Sequence, residues 1–375
     1  MHLFVDREIR GAADIFGHFG EVTLFSGRAL TRAELASADV LLLRSVTRVD
    51  AALLDGTPVR IVGTATAGTD HLDLAYLRER GIEVFDAAGC NARAVAEYVL
   101  ACCLLASALQ QRPPADLRIG VIGYGNVGRQ VAALFTALGM PCVINDPPLA
   151  AAGSTAALAS LEAALACDIV TLHVPLTDGG EHPTRGLLGR AELAAIDDDA
   201  LLINAARGGV VDERALLAWA RQRERAIALD CWLGEPSVAP DLLRRVTLAT
   251  PHIAGHTIEA RERAASMLVT ALAASLGLSA PATTGSAEPG IIDPAGSGDG
   301  LAGVRTAVLA CCDPRVTTAR LRATLALDPA ARAGAFDQLR RDAAGRREFA
   351  HYRIATAGLQ SDTVACLRAL GFQTN

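Results

Sequence analysis

Short apolar runs bounded by turn residues recur through residues 1–90: HLFVD, EVTLF, ADVLLLRS, VRIVGTA and IEVFDAA. Each reads as a strand. LTRAELAS and LDLAYLRERG, lying among these runs, read as helices. Strands alternating with helices predict a parallel, doubly wound sheet. Residues 91–110 read as one long buried helix, broken by QRPPADL.

A second series follows. RIGVIG, PCVIND, DIVTLHVP, ALLINAAR, AIALDCW and VTLATPHI read as strands. A segment through residue 138, then LASLEAALAC and DERALLAWARQR, read as helices, and the chain turns helical again over about 257–276. Residues 278–303 are rich in Pro, Gly, Ser and Ala and read as a linker. Beyond it, TAVLACC and FAHYRIATA read as strands, among Arg-rich helical patterns that run on to DTVACLRALGF. These elements form a small third unit over 304–375.

The chain has 375 residues, 51% hydrophobic, enough for at least two domains and a large core. A net charge of −6 argues against a general nucleic-acid or anionic-membrane binder. There is no lysine, which excludes a Schiff-base lysine and a P-loop lysine. A bound carboxylate or phosphate must then be held by Arg, hydroxyls or backbone N–H groups. The nine cysteines include no C-x-x-C pair and read as buried free thiols of a reducing compartment. Charges stand where a signal peptide needs an apolar run, and no apolar run reaches membrane length. A soluble, cytoplasmic protein is expected.

LRIGVIGYGNVGRQVAALF holds Gly123-x-Gly125-x-x-Gly128 between a strand and an amphipathic helix. The first glycine suits a tight turn and the second lets backbone approach a pyrophosphate. The third permits close helix packing, so the helix N-terminus faces phosphates. Asn126 and Val127 lie inside this loop. The next strand ends at Asp146, which can bind ribose hydroxyls and would repel a 2′-phosphate, and no Arg follows it. NAD, rather than NADP, is the expected cofactor.

A dinucleotide leaves orientation and proton transfer to the protein. Three later strand ends offer candidates: Ala205-Ala206-Arg207, Asp230 with Glu235, and His252. An Arg can clamp a 2-oxo acid. A His can exchange the hydroxyl proton, and a carboxylate beside it would raise its pKa and fix its tautomer. Taken singly, a strand-end Arg is more often a surface ion pair, and a lone His a satisfied core residue. His252 and His256, in TPHIAGHT, could share a metal only on one continuous helix. Pro251 and Gly255 interrupt that, so no metal is expected.

GYGNVG, LLINAARGGVVDERALL, LDCWLGEP and TPHIAG together make the chain resemble the D-isomer-specific 2-hydroxyacid dehydrogenases. The resemblance implies an α/β fold of two doubly wound parallel-sheet (Rossmann-like) domains. It implies Arg207, Glu235 and His252 as catalytic residues. Asp230, Val174, Ala205, Ala206 and Gly255 join the glycine loop and Asp146 around NAD. Residues 1–93 and 257–280 would bind substrate, and 94–256 would bind NAD.

LLLRSVTRVD, IVGTATAGTDHLD, GCNARAVAEYV and the tail RREFAHYRI…LRALGF narrow the likeness further. They match members that act on a small phosphorylated 2-hydroxy acid. Those members append a small α+β dimerisation domain, here 304–375 after a linker at 281–303, and are homodimers. Ser45 and Thr66 match substrate-binding positions, and Arg44 or Arg48 is expected at the phosphate. The pattern departs at His256, where those relatives have Tyr, and at Val174, where they favour a hydroxyl. A phosphoglycerate or glyoxylate/hydroxypyruvate dehydrogenase, or a non-catalytic NAD sensor, remains open on these motifs.

Overall fold

The computed structural model describes residues 1–106, 111–281, 288–294, 296 and 300–374. The chain divides into two compact units: Met1–Asn91 with Ile258–Ala287, and Ala92–Thr257 with Glu288–Asn375.

The first unit holds a five-stranded sheet of β1 (His2–Asp6), β2 (Glu21–Phe25), β3 (Val40–Leu43), β4 (Ile61–Thr64) and β5 (Glu83–Phe85). The order is β2-β1-β3-β4-β5 and every pairing is parallel. Side chains alternate across each strand. Leu42 therefore joins one apolar cluster with Leu3, Val5 and Phe16, while Leu41 and Leu43 join another with Phe4, Leu54 and Leu77. The helix Ile258–Ser275 supplies Ala265, Leu268 and Leu272 to the first cluster, which is why the chain returns to this unit. LTRAELAS forms a 3-10 turn, Arg32–Ser37, and not an α-helix. It is six residues long, too short to sustain an α-helix by itself, and its start is fixed by Glu34, which accepts the Thr31 N–H at 2.8 Å.

The second unit holds β6 (Ile119–Ile122), β7 (Cys142–Asn145), β8 (Ile169–Leu172), β9 (Leu201–Asn204), β10 (Ala226–Leu229) and β11 (Leu248–Ala249). The order is β11-β10-β9-β8-β6-β7, again wholly parallel. The order reverses at β6, between β7 and β8, and ligands bind at such a switch point. The buried helix Ala92–Leu104 shares a core with the helix Asn126–Ala137 through Val99, Cys103, Val131 and Leu134. Residues 107–110 of the expected long helix lie outside the described residues.

TAVLACC is not a strand: it belongs to the helix Leu301–Cys311. A short apolar run cannot be assigned by periodicity alone. Here Val304, Ala307 and Val308 are buried at helical spacing, in the core shared with Val99 and Leu134. Within the stretch read as a linker, Gly290–Ile292 forms β12. It pairs in parallel with β13 (Tyr352–Ile354), which pairs with β14 (Gln373–Thr374). Residues 282–287, 295 and 297–299 of that stretch lie outside the described residues. The rings of Phe349 and Phe372 stack at 4.5 Å inside the same core. All nine cysteines are free. No helix among the described residues is long and apolar enough to cross a membrane.

Candidate active site

The glycine loop joins β6 to the helix Asn126–Ala137. Gly123 has φ 93°, and a Cβ there would stand 2.7 Å from the carbonyl carbon of His173, just past β8. A Cβ on Gly128 would stand 2.0 Å from the Gly123 carbonyl oxygen. Both positions therefore exclude a side chain. A Cβ on Gly125 would meet nothing within 4 Å, so this loop borders open space at the helix N-terminus. Gly125 caps that helix without a side-chain bond, leaving the N–H groups at Asn126, Val127 and Gly128 available to an anion. Val174 stands on the other side of the turn, its Cγ1 2.9 Å from the Cβ position of Gly123.

Asp146, after β7, accepts the Tyr124 N–H at 2.7 Å and the Leu149 N–H at 2.9 Å. One carboxylate thus ties the glycine loop to a helical cap. An ionised carboxylate has about four acceptor sites, so capacity for ribose hydroxyls remains. The loop and Asp146 fit a dinucleotide.

β9 ends at Asn204, which is buried. Its amide donates to the Arg207 carbonyl at 2.9 Å and accepts the Ala206 N–H at 3.1 Å. Ala205, Ala206 and Arg207 therefore wrap around one side chain. The motifs do not single out Asn204, although an amide closing the apolar run LLIN marks it. The Arg207 guanidinium donates to the Ala206 carbonyl at 2.8 Å.

β10 leads into Asp230, whose carboxylate is buried. It accepts from Thr250 Oγ1 at 2.7 Å, Ile253 N–H at 2.7 Å and Ala254 N–H at 2.9 Å. Burial raises its pKa, while His252 and these donors pull the other way. Its carbonyl also takes the His252 N–H at 2.8 Å. Asp230 thus shapes the loop that carries His252. That residue has φ 55°, a left-handed backbone uncommon outside glycine.

His252 Nδ1 lies 2.9 Å from Glu235 Oε2, and Glu235 Oε1 accepts the Trp232 N–H at 2.8 Å. Burial disfavours the Glu235 charge, but His252 and the hydrogen bonds hold its pKa below the usual range. Burial likewise opposes a charged His252, yet its pKa is raised well above the ordinary imidazole value, and the Glu235 carboxylate at 2.9 Å is the anion beside it. Burial also raises the Cys231 pKa, so that sulfur is a thiol near neutral pH and Glu235 is the anionic partner. Donor atoms of Cys231, Glu235 and His252 all lie within 4.8 Å of one another. The histidine is already bonded to the carboxylate, and the thiol donates to the Ala206 carbonyl at 3.4 Å, so the group is satisfied without an ion. His256 is set apart: its N–H closes a turn on the Ile253 carbonyl at 2.9 Å, and the next helix begins only at Ile258.

The first unit holds Ser45 and Arg44 just past β3, and Thr66 just past β4. Arg44 forks onto Asp6 at 3.2 and 3.4 Å; Asp6 is buried at the end of β1. Thr66 Oγ1 donates to the Gly68 carbonyl at 2.9 Å and lies 2.8 Å from Thr64 Oγ1, which also meets His71 at 2.9 Å. Arg48 is exposed and paired with Asp50 at 2.9 Å.

The family model for the D-isomer specific 2-hydroxyacid dehydrogenase NAD-binding domain matches residues 104–254. An erythronate-4-phosphate dehydrogenase of Marinobacter nauticus is 43% identical, over all of this chain and 99% of that one. One of Pseudomonas aeruginosa is 40% identical over the whole of both chains. This chain belongs to the erythronate-4-phosphate dehydrogenase family. Among solved structures, D-lactate dehydrogenase of Aquifex aeolicus, complexed with NAD and lactic acid, shares the fold. Its TM-score is 0.61 at 24% identity, covering 74% of this chain and 96% of that one. The family's NAD-binding domain is thus present here, its glycine loop ordered at the switch point.

Proposed function

We propose that this protein oxidises 4-phospho-D-erythronate to (R)-3-hydroxy-2-oxo-4-phosphooxybutanoate, a step of pyridoxal 5′-phosphate biosynthesis. The observation that carries the reading is the 2.9 Å pair of Glu235 and His252, in the same unit as the glycine loop. Full-length likeness to erythronate-4-phosphate dehydrogenases supports the substrate. NAD, when bound, supplies the hydride acceptor. Glu235 holds the Nδ1 proton of His252, so Nε2 takes the proton of the substrate 2-hydroxyl as hydride leaves C2. Arg207 orients the substrate carboxylate. Gly123, Gly125, Asn126, Val127 and Gly128 receive the pyrophosphate, Asp146 the adenosine ribose, and Val174, Ala205, Ala206, Asp230 and Gly255 line the rest of the cofactor.

Ser45, Thr66 and His256 contact the substrate, and Arg44 holds its phosphate. Arg48 is the weaker candidate, being exposed and paired with Asp50. The protein works as a cytoplasmic homodimer joined through residues 304–375.

The test is NADH formation with 4-phosphoerythronate against 3-phosphoglycerate and glycerate. Turnover with the first alone is expected. Preference for 3-phosphoglycerate would move the chain to another dehydrogenase class, and tight NADH binding with no turnover would make it a sensor. His252→Ala should lower kcat by about 10²–10⁴-fold with NADH binding retained.

A further inference from the structure

Between β11 and the helix at Ile258, the loop carrying His252 has no ladder of its own. His252 at φ 55° is a strained conformation that persists only where its surroundings over-determine it. Asp230 meets one edge of this loop, taking the N–H groups of Ile253 and Ala254. The opposite edge is met by Arg346. Its Nη2 donates to the carbonyl of Ile253 at 3.4 Å and to the carbonyl of Ala254. The same nitrogen reaches the carbonyl of Ala94, on the buried helix, at 3.3 Å, while Nη1 lies 3.2 Å from Cys312 Sγ.

Neighbouring residues of the same C-terminal segment hold the ends of the loop. Thr318 Oγ1 accepts the Ala249 N–H at 2.9 Å, and Glu348 accepts from Thr257 Oγ1 at 3.0 Å. Glu348 is itself buried, and the next residue, Phe349, donates its N–H to both oxygens of Glu97 at 3.1 Å. The catalytic loop is therefore gripped by an anion on its N–H edge and a cation on its C=O edge, and the cation comes from a segment remote in sequence.

We propose that Arg346 is a positioning residue for His252, and that the C-terminal segment thereby completes the active site of its own chain. Arg346 touches none of the reacting groups. It holds the carbonyls of Ile253 and Ala254, immediately after His252, and with Asp230 it keeps the imidazole against Glu235. A guanidinium is required because one planar fork must serve carbonyls on two elements and a sulfur at once; an ammonium is a single point donor. The proposal rests on the catalytic role assigned to His252, so its test needs a readout independent of turnover.

Arg346→Met and Arg346→Lys would be compared with the wild type in the full-length protein. One readout is kcat and KM with 4-phosphoerythronate. The other is the pH dependence of carbethoxylation of His252, taken as the difference from His252→Ala. The expected result for Arg346→Met is a kcat lower by about 10²-fold, the scale of a small misplacement of a catalytic group. NADH binding should stay close to wild type, and the pKa of His252 should fall towards the ordinary value of about 6.5. Arg346→Lys should recover part of both. If Arg346→Met does not fold, the lysine variant carries the test by the same two readouts. Wild-type kcat and an unmoved His252 titration, with only a lower melting temperature, would overturn the proposal. A moved titration in a protein that does not oxidise 4-phosphoerythronate would uphold the clamp and discard the substrate reading.

Discussion

His252 Nδ1 and Glu235 Oε2 are 2.9 Å apart, and the carboxylate's other oxygen is fixed by the Trp232 N–H at 2.8 Å. The glutamate thus cannot turn away from the imidazole without giving up a backbone bond. That geometry sets the direction of the pH dependence. With His252 as the proposed base, oxidation needs the neutral imidazole, so kcat/KM should rise with pH through the raised histidine pKa. Glu235→Gln removes the charge that raises it. The rising limb should move to lower pH, with kcat reduced because the imidazolium formed in the reaction loses its partner. A limb at the wild-type pH in Glu235→Gln would show that Glu235 does not tune His252.

The same pair links charge to folding. The histidine's folded pKa is raised, so its share of the stability is complete below its unfolded value of about 6.5 and is lost as pH rises through the folded value. The glutamate's folded pKa is depressed, so its share is present above about 4.3 and is lost as pH falls through the folded value. Urea unfolding at several pH values should show the Glu235→Gln deficit largest between these limits. A deficit independent of pH would point to lost packing alone.

Much of this architecture is legible in the chain because its motifs are local. Gly123, Gly125 and Gly128 sit at one turn, and their steric need is visible in their spacing. Arg207, Glu235 and His252 each stand beyond the end of a strand, where an α/β sheet gathers its chemistry. What was not legible depends on contacts distant in sequence. TAVLACC is helical because Val304, Ala307 and Val308 share a core with Val99 and Leu134, about 170 to 210 positions earlier. β12 exists because Tyr352–Ile354 offers it a parallel edge, which composition cannot reveal. Asn204 and Asp230 announce themselves as polar residues at strand ends, but not that each organises a loop.

Asp146 ties the glycine loop to the following helix through its bonds to Tyr124 and Leu149, and the role proposed for it is to bind the adenosine ribose. Asp146→Ala should weaken NAD binding by about 10- to 100-fold, the scale of a lost hydrogen bond to a charged group. It should also narrow the preference for NAD over NADP, because the repulsion of a 2′-phosphate goes with the carboxylate. Titration of both cofactors against the variant, followed by protein fluorescence, measures the two effects together. Unchanged discrimination would mean that another group reads the ribose.

Glu97 is 1% exposed and its pKa is raised to about 7, by burial first and by Glu348 nearby, with Arg93 opposing. Here the folded state binds the proton more tightly than the unfolded chain. Stability should therefore fall as pH rises from about 4.3 towards 7, by on the order of a few kcal/mol. Glu97→Gln should flatten that slope in denaturant titrations across the same range. An unaltered slope would assign the pH dependence to other groups.

Arg44 is bound to a fully buried partner, since Asp6 is 0% exposed and accepts two bonds from the guanidinium. A neutral replacement would leave Asp6 without its cation, so Arg44→Ala is expected to be destabilised as well as weakened in substrate binding. Arg44→Lys keeps a cation near Asp6 but lacks the fork that matches a phosphate. It should fold close to normally, yet raise KM for 4-phosphoerythronate by about tenfold or more, the scale of one charge-assisted bond. With erythronate, which lacks the phosphate, the same substitution should leave KM near its wild-type value. Arg48→Ala should change neither, because Arg48 is exposed and its partner Asp50 can be solvated. Equal effects of Arg44→Lys on the two substrates would remove Arg44 from the phosphate site.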